Sequence, residues 1–257
     1  MTPFAALHHR PGRPLLLPNA WDHASAVALA AEGYSAIGTT SLGVAAAAGL
    51  PDGAAATRAE TVRLARRLGR DDFLLSVDVE SGFTDDPDEV AALAVELVQA
   101  GVAGINLEDG RADGTLAPAA VHAAKVAAVK AAVPELFVNA RTDTYWCGHE
   151  DPEPEAVRRL EHYQQAGADG VFVPGLVEPA AIARLVGRVA VPLNILLTPT
   201  GPGLAELAEL GVARVSLGSL LYRAALAAAV ATAAAVASGG AVGPVPGYAD
   251  VQALSGS

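Results

Sequence analysis

Three apolar runs in this chain stop on groups that can do chemistry. Ser76-Val77-Asp78-Val79-Glu80 closes the first, and Gly104-Ile105-Asn106-Leu107-Glu108-Asp109 closes the second. Phe137-Val138-Asn139-Ala140-Arg141-Thr142-Asp143 closes the third. Side chains alternate along a strand, so Asp78 and Glu80 point the same way. Asp78, Glu80 and Glu108 gathered in one place repel unless a cation or protons neutralise them. No histidine or cysteine lies near them in sequence, so the donor set is all oxygen, which favours Mg²⁺ or Mn²⁺ over Zn²⁺. The plainer alternative is that each acid caps a helix or joins a rim salt bridge. Arg141 ends a mostly apolar run and is costly to bury unpaired. Its fork fits a substrate carboxylate, or else it pairs with Asp143 or Glu108. Asp52, in Leu50-Pro51-Asp52-Gly53, reads on composition as a turn residue. The stretch 43–53 around it is small and flexible, and could move above a strand rim.

These groups need a scaffold that brings strand ends together. Short apolar runs at 14–18, 35–39, 73–79, 104–107, 136–140, 170–173, 192–196 and 214–217 read as strands covered on both faces. Helices are expected to begin near Asp22, Thr57, Pro87, Pro118, Pro152, Glu178, Gly203 and Ser219. Asp22 and Thr57 can cap orphan N–H groups, and Pro87 and Pro118 suit a first turn. Gly33, Gly101, Gly167 and Gly211 each end a helix just before the next strand. Eight βα units of about 30 residues fill the chain, which predicts a closed (β/α)8 barrel over 1–257 with a tail from about 240. A doubly wound open sheet is the alternative, but its Gly-x-Gly-x-x-Gly phosphate loop is missing. Barrel chemistry sits at the carboxyl ends of the strands. There this reading places Asn19, Trp21, Thr40, Ser41, Leu42, the three acids, Arg141, Asp143, Asn194, Ser216, Gly218 and Ser219.

Composition removes several classes of function. The formal net charge of −11 argues against nucleic acid or an anionic membrane as partner. Cys147 is the only cysteine, so neither an internal disulfide nor a thiolate zinc cluster can form, which suits a reducing cytoplasm. No apolar signal segment opens the chain. The stretch 224–237 is alanine-rich and shorter than the roughly 20 residues of a membrane span, so it reads as a buried or intersubunit helix. The only lysines, Lys125 and Lys130, fall within one helix, which excludes a Schiff-base lysine inside the barrel. Cys147 reads as incidental, and His23, His122 and His162 as ordinary helix residues.

Pro18-Asn19-Ala20-Trp21-Asp22, Gly49-Leu50-Pro51-Asp52-Gly53, Ser76 to Phe83, Asn106-Leu107-Glu108-Asp109 and Asn139-Ala140-Arg141-Thr142-Asp143 occur in this order. In these motifs the chain resembles the isocitrate lyase/phosphoenolpyruvate mutase superfamily. The resemblance runs from about Pro14 to Tyr222, with Tyr248-Ala249-Asp250 similar to the family's tail. It implies a barrel whose last helix is exchanged between subunits of a homodimer or homotetramer. It also implies Mg²⁺ held mainly by Asp78, with Asp52, Glu80 and Glu108 acting through bound waters. Main-chain N–H groups of Thr40, Ser41 and Leu42, together with Trp21 and Asn194, would contact a small carboxylate substrate, which Arg141 would neutralise. Asp52, Glu108 and Arg141 are the implied catalytic residues. Members make or break C–C or C–P bonds beside a 2-oxocarboxylate through a metal-stabilised enolate.

Two departures bear on the reaction. The lyases carry a Lys-Arg/Lys-Cys-Gly motif after the fourth strand, whereas this loop reads Glu108-Asp-Gly-Arg111-Ala-Asp113-Gly-Thr-Leu-Ala-Pro118. Where they place a glutamate after the sixth strand, this chain has Val173-Pro174-Gly175. Cleavage of a C–C bond in a small 2-oxo or 2-hydroxy carboxylate is the leading expectation. A C–P bond enzyme, or a carboxylate-binding barrel with little turnover, is the alternative. A phosphate-binding barrel using Gly218-Ser219 would leave the acids without a task.

Overall fold

The protein is described by a computed structural model in which residues 1–254 are placed. In chain order the elements are α1 (Pro3–Ala6), β1 (Leu15–Leu17), β2 (Asn19–Ala20), α2 (His23–Ala31), β3 (Ala36–Thr39), α3 (Ser41–Ala48) and α4 (Arg58–Leu68). Then come β4 (Leu74–Asp78), α5 (Pro87–Gln99), β5 (Val102–Glu108), α6 (Ala119–Ala132), β6 (Phe137–Arg141), α7 (Pro152–Gln165) and β7 (Gly170–Phe172). The last are α8 (Pro179–Val186), β8 (Leu193–Leu196), α9 (Leu204–Glu209), β9 (Arg214–Ser216), α10 (Leu220–Ala237) and α11 (Tyr248–Ala253).

All strand pairs are parallel, in the order β1-β9-β8-β7-β6-β5-β4-β3-β2. The two ends of that order, β1 and β2, are consecutive in the chain and separated only by Pro18. Proline has no N–H to give a ladder, so the strand is interrupted there. The Pro18 carbonyl still accepts from the Gly38 N–H at 2.8 Å. Asn19 completes the closure. Its Nδ2 donates to the Thr39 carbonyl, and its Oδ1 accepts from the N–H groups of Leu217 and Gly218. One split strand and seven intact ones therefore make the expected eight-stranded barrel.

Period-2 alternation divides each strand. Leu75, Val77, Ile105, Leu107, Val138, Ala140, Val171, Ile195 and Val215 join the apolar layer beneath the helices. The alternate residues face the barrel axis, and unusually many are polar: Ser76, Asn106, Asn139, Asn194, Arg214 and Ser216 are all buried. Phe4 of α1 seals the lower end against Phe137, which also stacks on His8 with ring centroids 4.1 Å apart.

Two expectations change. The stretch 43–53 is not wholly flexible: Ser41–Ala48 is helical and stops at Gly49, whose φ of +70° ends it in the left-handed region. An alanine run is a strong helix former, and this outweighs the small side chains that suggest a loop. The alanine-rich helix begins at Leu220, next to the expected Ser219, but none of its residues is buried within the chain. By length and composition alone, Leu220–Ala237 is apolar enough to cross a membrane, with a mean hydropathy of 1.7. Trp21 meets Tyr222 edge-to-face at 5.3 Å and anchors its first turn. Beyond that turn Leu226, Val230 and Val236 stand exposed.

Such a face is expected to be covered by a second copy of the chain, since exposed apolar strips mark association surfaces. Light scattering at micromolar concentration should then give a dimer or larger mass. A monomer mass would rule this out.

Candidate active site

A cavity of about 300 Å³ opens at the carboxyl ends of the strands. Its wall includes Asn19, Thr40, Ser41, Leu42, Asp52, Asp78, Asn106, Glu108, Arg111, Arg141, Asp143, Trp146, Cys147, Phe172 and Ser216. Most of these follow from strand alternation carried to the rim. Asp78 ends β4, Glu108 ends β5 and Arg141 ends β6. Register pairs Asp78 with Asn106, and Glu108 with Arg141.

Arg141 is clamped. Nη1 lies 2.7 Å from Glu108 Oε2, Nε donates to Asp143 Oδ1 at 2.6 Å, and the guanidinium sits over the Phe172 ring. Its two acids hold it firmly charged, with its pKa raised despite burial. Gly110 is required beside this clamp, because a Cβ there would stand 2.3 Å from Asp143 Oδ2. Asp109 braces it from behind. Its Oδ1 accepts the Asp143 N–H, while Oδ2 takes Arg159 and the Tyr163 hydroxyl.

Asp78 is different, with no ion-pair partner among the described residues. Burial raises its carboxyl above the usual range, although Arg141 and the N–H groups of Glu80 and Ser41 draw it down. Burial also raises Glu108 well above the ordinary value, opposed by Arg141 and reinforced by Asp143 and Asp78. Among the described residues no three carboxylate, imidazole or thiol side chains converge into a ready-made shell for a metal. Asp78 and Glu108, with Asp52 across the cavity, nevertheless form an under-neutralised, all-oxygen wall. That suits a hard cation that retains several of its waters.

Above Asp78 stands the N-terminus of α3. Thr40 is its N-cap without a side-chain cap hydrogen bond, so the first N–H groups of the helix are uncapped: the Ser41 N–H faces Asp78, and the cavity lies beside Thr40, Ser41 and Leu42. Helix N-termini with free N–H groups attract anions. Gly43 lets this helix approach, since a Cβ would meet Thr40 and Trp21 at 2.8 Å.

Three expected residues are placed otherwise. Glu80 does not reach the cavity. Its φ of +49° turns the chain after β4, and its carboxylate takes the Ala55 N–H at 3.2 Å and the Thr57 hydroxyl. There it ties down the loop that carries Asp52, which does line the cavity. Trp21 lies outside the wall, packed against Tyr222. Asn194 is buried below it and reaches the wall only through Ser216, its Nδ2 lying 2.9 Å from Oγ.

Other groups enter that sequence reasoning had not chosen. Cys147 and Trp146, from the turn after β6, form part of the wall, and burial raises the Cys147 thiol. Arg111 stands at the mouth, paired with Asp85 at 2.7 Å. Asn106 was findable: it lies two residues before Glu108 and so shares its face. Lys125 and Lys130 are tied to Asp85 and Asp169 outside the barrel, as their helix position required.

Proteins similar in sequence share this fold. The phosphoenolpyruvate phosphomutase family model matches residues 4–237. The uncharacterized protein Rv1998c of Mycobacterium tuberculosis is 46% identical over 97% of this chain and 95% of its own length. The 2-methylisocitrate lyase of Bacillus subtilis is 34% identical over 73% of this chain, which spans 64% of that protein. A crystal structure of a putative phosphonomutase from Burkholderia cenocepacia superposes with a TM-score of 0.84 at 39% identity, covering 89% of this chain and 96% of that one. Barrel topology, relatives and family model converge on one assignment: the chain belongs to the phosphoenolpyruvate phosphomutase family, within the isocitrate lyase/phosphoenolpyruvate mutase superfamily of lyases and mutases.

Proposed function

We propose that the protein is a Mg²⁺-dependent lyase that cleaves a C–C bond in a small 2-oxo or 2-hydroxy carboxylate. The observation that carries this is the pairing of an unneutralised rim carboxylate, Asp78, with a helix N-terminus and Arg141 across one small cavity. Asp78, Glu108 and Asp52 would hold the cation in this reading, with Glu80 fixing the Asp52 loop. When bound, Mg²⁺ supplies Lewis-acid stabilisation of negative charge developing on the substrate oxygen. The N–H groups at Ser41, which also faces Asp78, and Leu42 would hold the carboxylate end, and Arg141 would neutralise it. Phe172 forms the part of the cavity wall that lies against the Arg141 guanidinium.

The loop from Asp109 to Pro118 supplies no thiol, and Cys147 approaches from a different strand. Isocitrate and methylisocitrate are therefore expected to be poor substrates. A panel of 2-oxo acids, hydroxy diacids and phosphonopyruvate, assayed with Mg²⁺, tests the reading. Mg²⁺-dependent C–C cleavage of a member supports it. Phosphonopyruvate turnover alone points to the C–P alternative, and ligand binding without turnover points to a carboxylate binder. Robust release of glyoxylate from isocitrate or of pyruvate from methylisocitrate, lost in Cys147→Ser, would show that Cys147 is the missing acid.

Metal binding should depend on pH with a definite sign. Asp78 and Glu108 hold protons above the ordinary carboxylate range of about 4, and a cation must displace them. Mn²⁺ affinity is expected to fall with decreasing pH and to begin falling well above pH ~4. An affinity flat from pH 7 down to about 4.5 would contradict this.

A further inference from the structure

The barrel interior holds a cation that the proposed chemistry does not use. Arg214, on β9, is fully buried. Its Nε donates to Ser216 Oγ at 3.2 Å and its Nη2 to Asn106 Oδ1 at 3.1 Å, while Nη1 has no partner among the described residues. Asp78 acts on it only through space, and desolvation lowers its pKa to about 9. A buried guanidinium bonded to neutral groups is costly, so it is not explained as an ion pair. What it accomplishes is the orientation of an amide.

Guanidinium groups only donate, so the Asn106 atom facing Arg214 must be the carbonyl oxygen. Asn139 Nδ2 donates to the same oxygen at 2.8 Å. Neither Arg214 nor Asn139 lines the cavity, so with both lone-pair directions occupied from the barrel interior the planar amide turns its NH₂ the other way. Asn106 lines the cavity, in register with Asp78 and two residues before Glu108. The floor therefore offers a donor between two acids.

We propose that Asn106 is a substrate-contact residue whose NH₂ donates to an oxygen of the bound carboxylate, and that Arg214 is the positioning residue holding that amide donor-outward. This rests on the reading of the cavity as a cation-dependent carboxylate site. It narrows the substrate class to molecules with an oxygen acceptor, rather than an alkyl or amino group, seated on the floor beside Asp78.

Calorimetric titration tests this, with Mn²⁺ alone and then with oxalate at saturating Mn²⁺. Asn106→Asp keeps the shape, gains an ion pair with Arg214 and presents an acceptor in place of the donor. It should bind Mn²⁺ as tightly as wild type or more tightly, yet bind oxalate about 10-fold more weakly or worse. A purely structural role would move both affinities together or neither. Arg214→Met should weaken oxalate binding with no loss of melting temperature, and Arg214→Lys, also only a donor, should restore much of it. Wild-type oxalate affinity in Asn106→Asp overturns this proposal alone. Failure of the Mn²⁺-loaded wild type to bind oxalate overturns the parent reading and this one with it.

Discussion

Asp78→Ala should abolish divalent-cation binding while the barrel stays folded. The side chain ends β4 facing a cavity, with no counter-ion among the described residues, and its burial already penalises the charged form. Removing it relieves repulsion with Glu108 and Asp52. The structural loss is the hydrogen bond from the Glu80 N–H to Asp78 Oδ1 at 3.1 Å, a net effect of about 1 kcal/mol, together with the attraction of the Ser41 N–H. The bond from the Asp78 N–H to Thr39 Oγ1 belongs to the backbone and remains. Loss of a partner that only orients a ligand costs roughly 10–100-fold in metal affinity. Loss of the ligand itself should exceed that, and Glu80→Gln, acting through the Asp52 loop, should fall within it. Mn²⁺ calorimetry beside a thermal melt separates these outcomes. Equal affinity in wild type and Asp78→Ala would remove Asp78 from the cation site.

Arg141→Ala should have two separable consequences. The first is structural, because Glu108 and Asp143 lose their common cation and stand buried beside each other. Breaking a buried pair by removing one partner costs about 3–5 kcal/mol. That deficit should depend on pH. Without Arg141 the folded-state pKa values of both acids rise further, so the stability they lose at neutral pH returns as pH falls towards their unfolded value near 4. The second consequence is functional: carboxylate affinity should weaken by roughly 2–5 kcal/mol if the pair with substrate is desolvated. Arg141→Lys should rescue neither fully. A point charge cannot span Glu108 and Asp143 at 2.7 and 2.6 Å while presenting a fork to a substrate. Destabilisation with an unchanged Michaelis constant and turnover would show that Arg141 only holds the two acids together.

Local patterning carried far in this chain. Strand alternation and helix punctuation are properties of a few neighbouring residues, so eight βα units could be read directly. Because barrel strands run parallel, reading them also brought Asp78, Glu108 and Arg141 to one rim. Glu80 shows where that logic stops. It shares its alternation with Asp78, but the strand ends first, and a left-handed residue sends its carboxylate to Ala55 and Thr57. Cys147 and Trp146 enter the wall because a turn after β6 folds inward, and turn direction depends on tertiary packing. The helix Ser41–Ala48 was concealed by small residues that suit a loop equally well, and its free N-terminus matters only because the barrel places it above Asp78. Arg214 is the clearest case. In sequence it is one arginine opening a short apolar run. Only closure of the barrel carries it across the axis to Asn106, 108 residues away, where register on opposite walls decides which amide it holds.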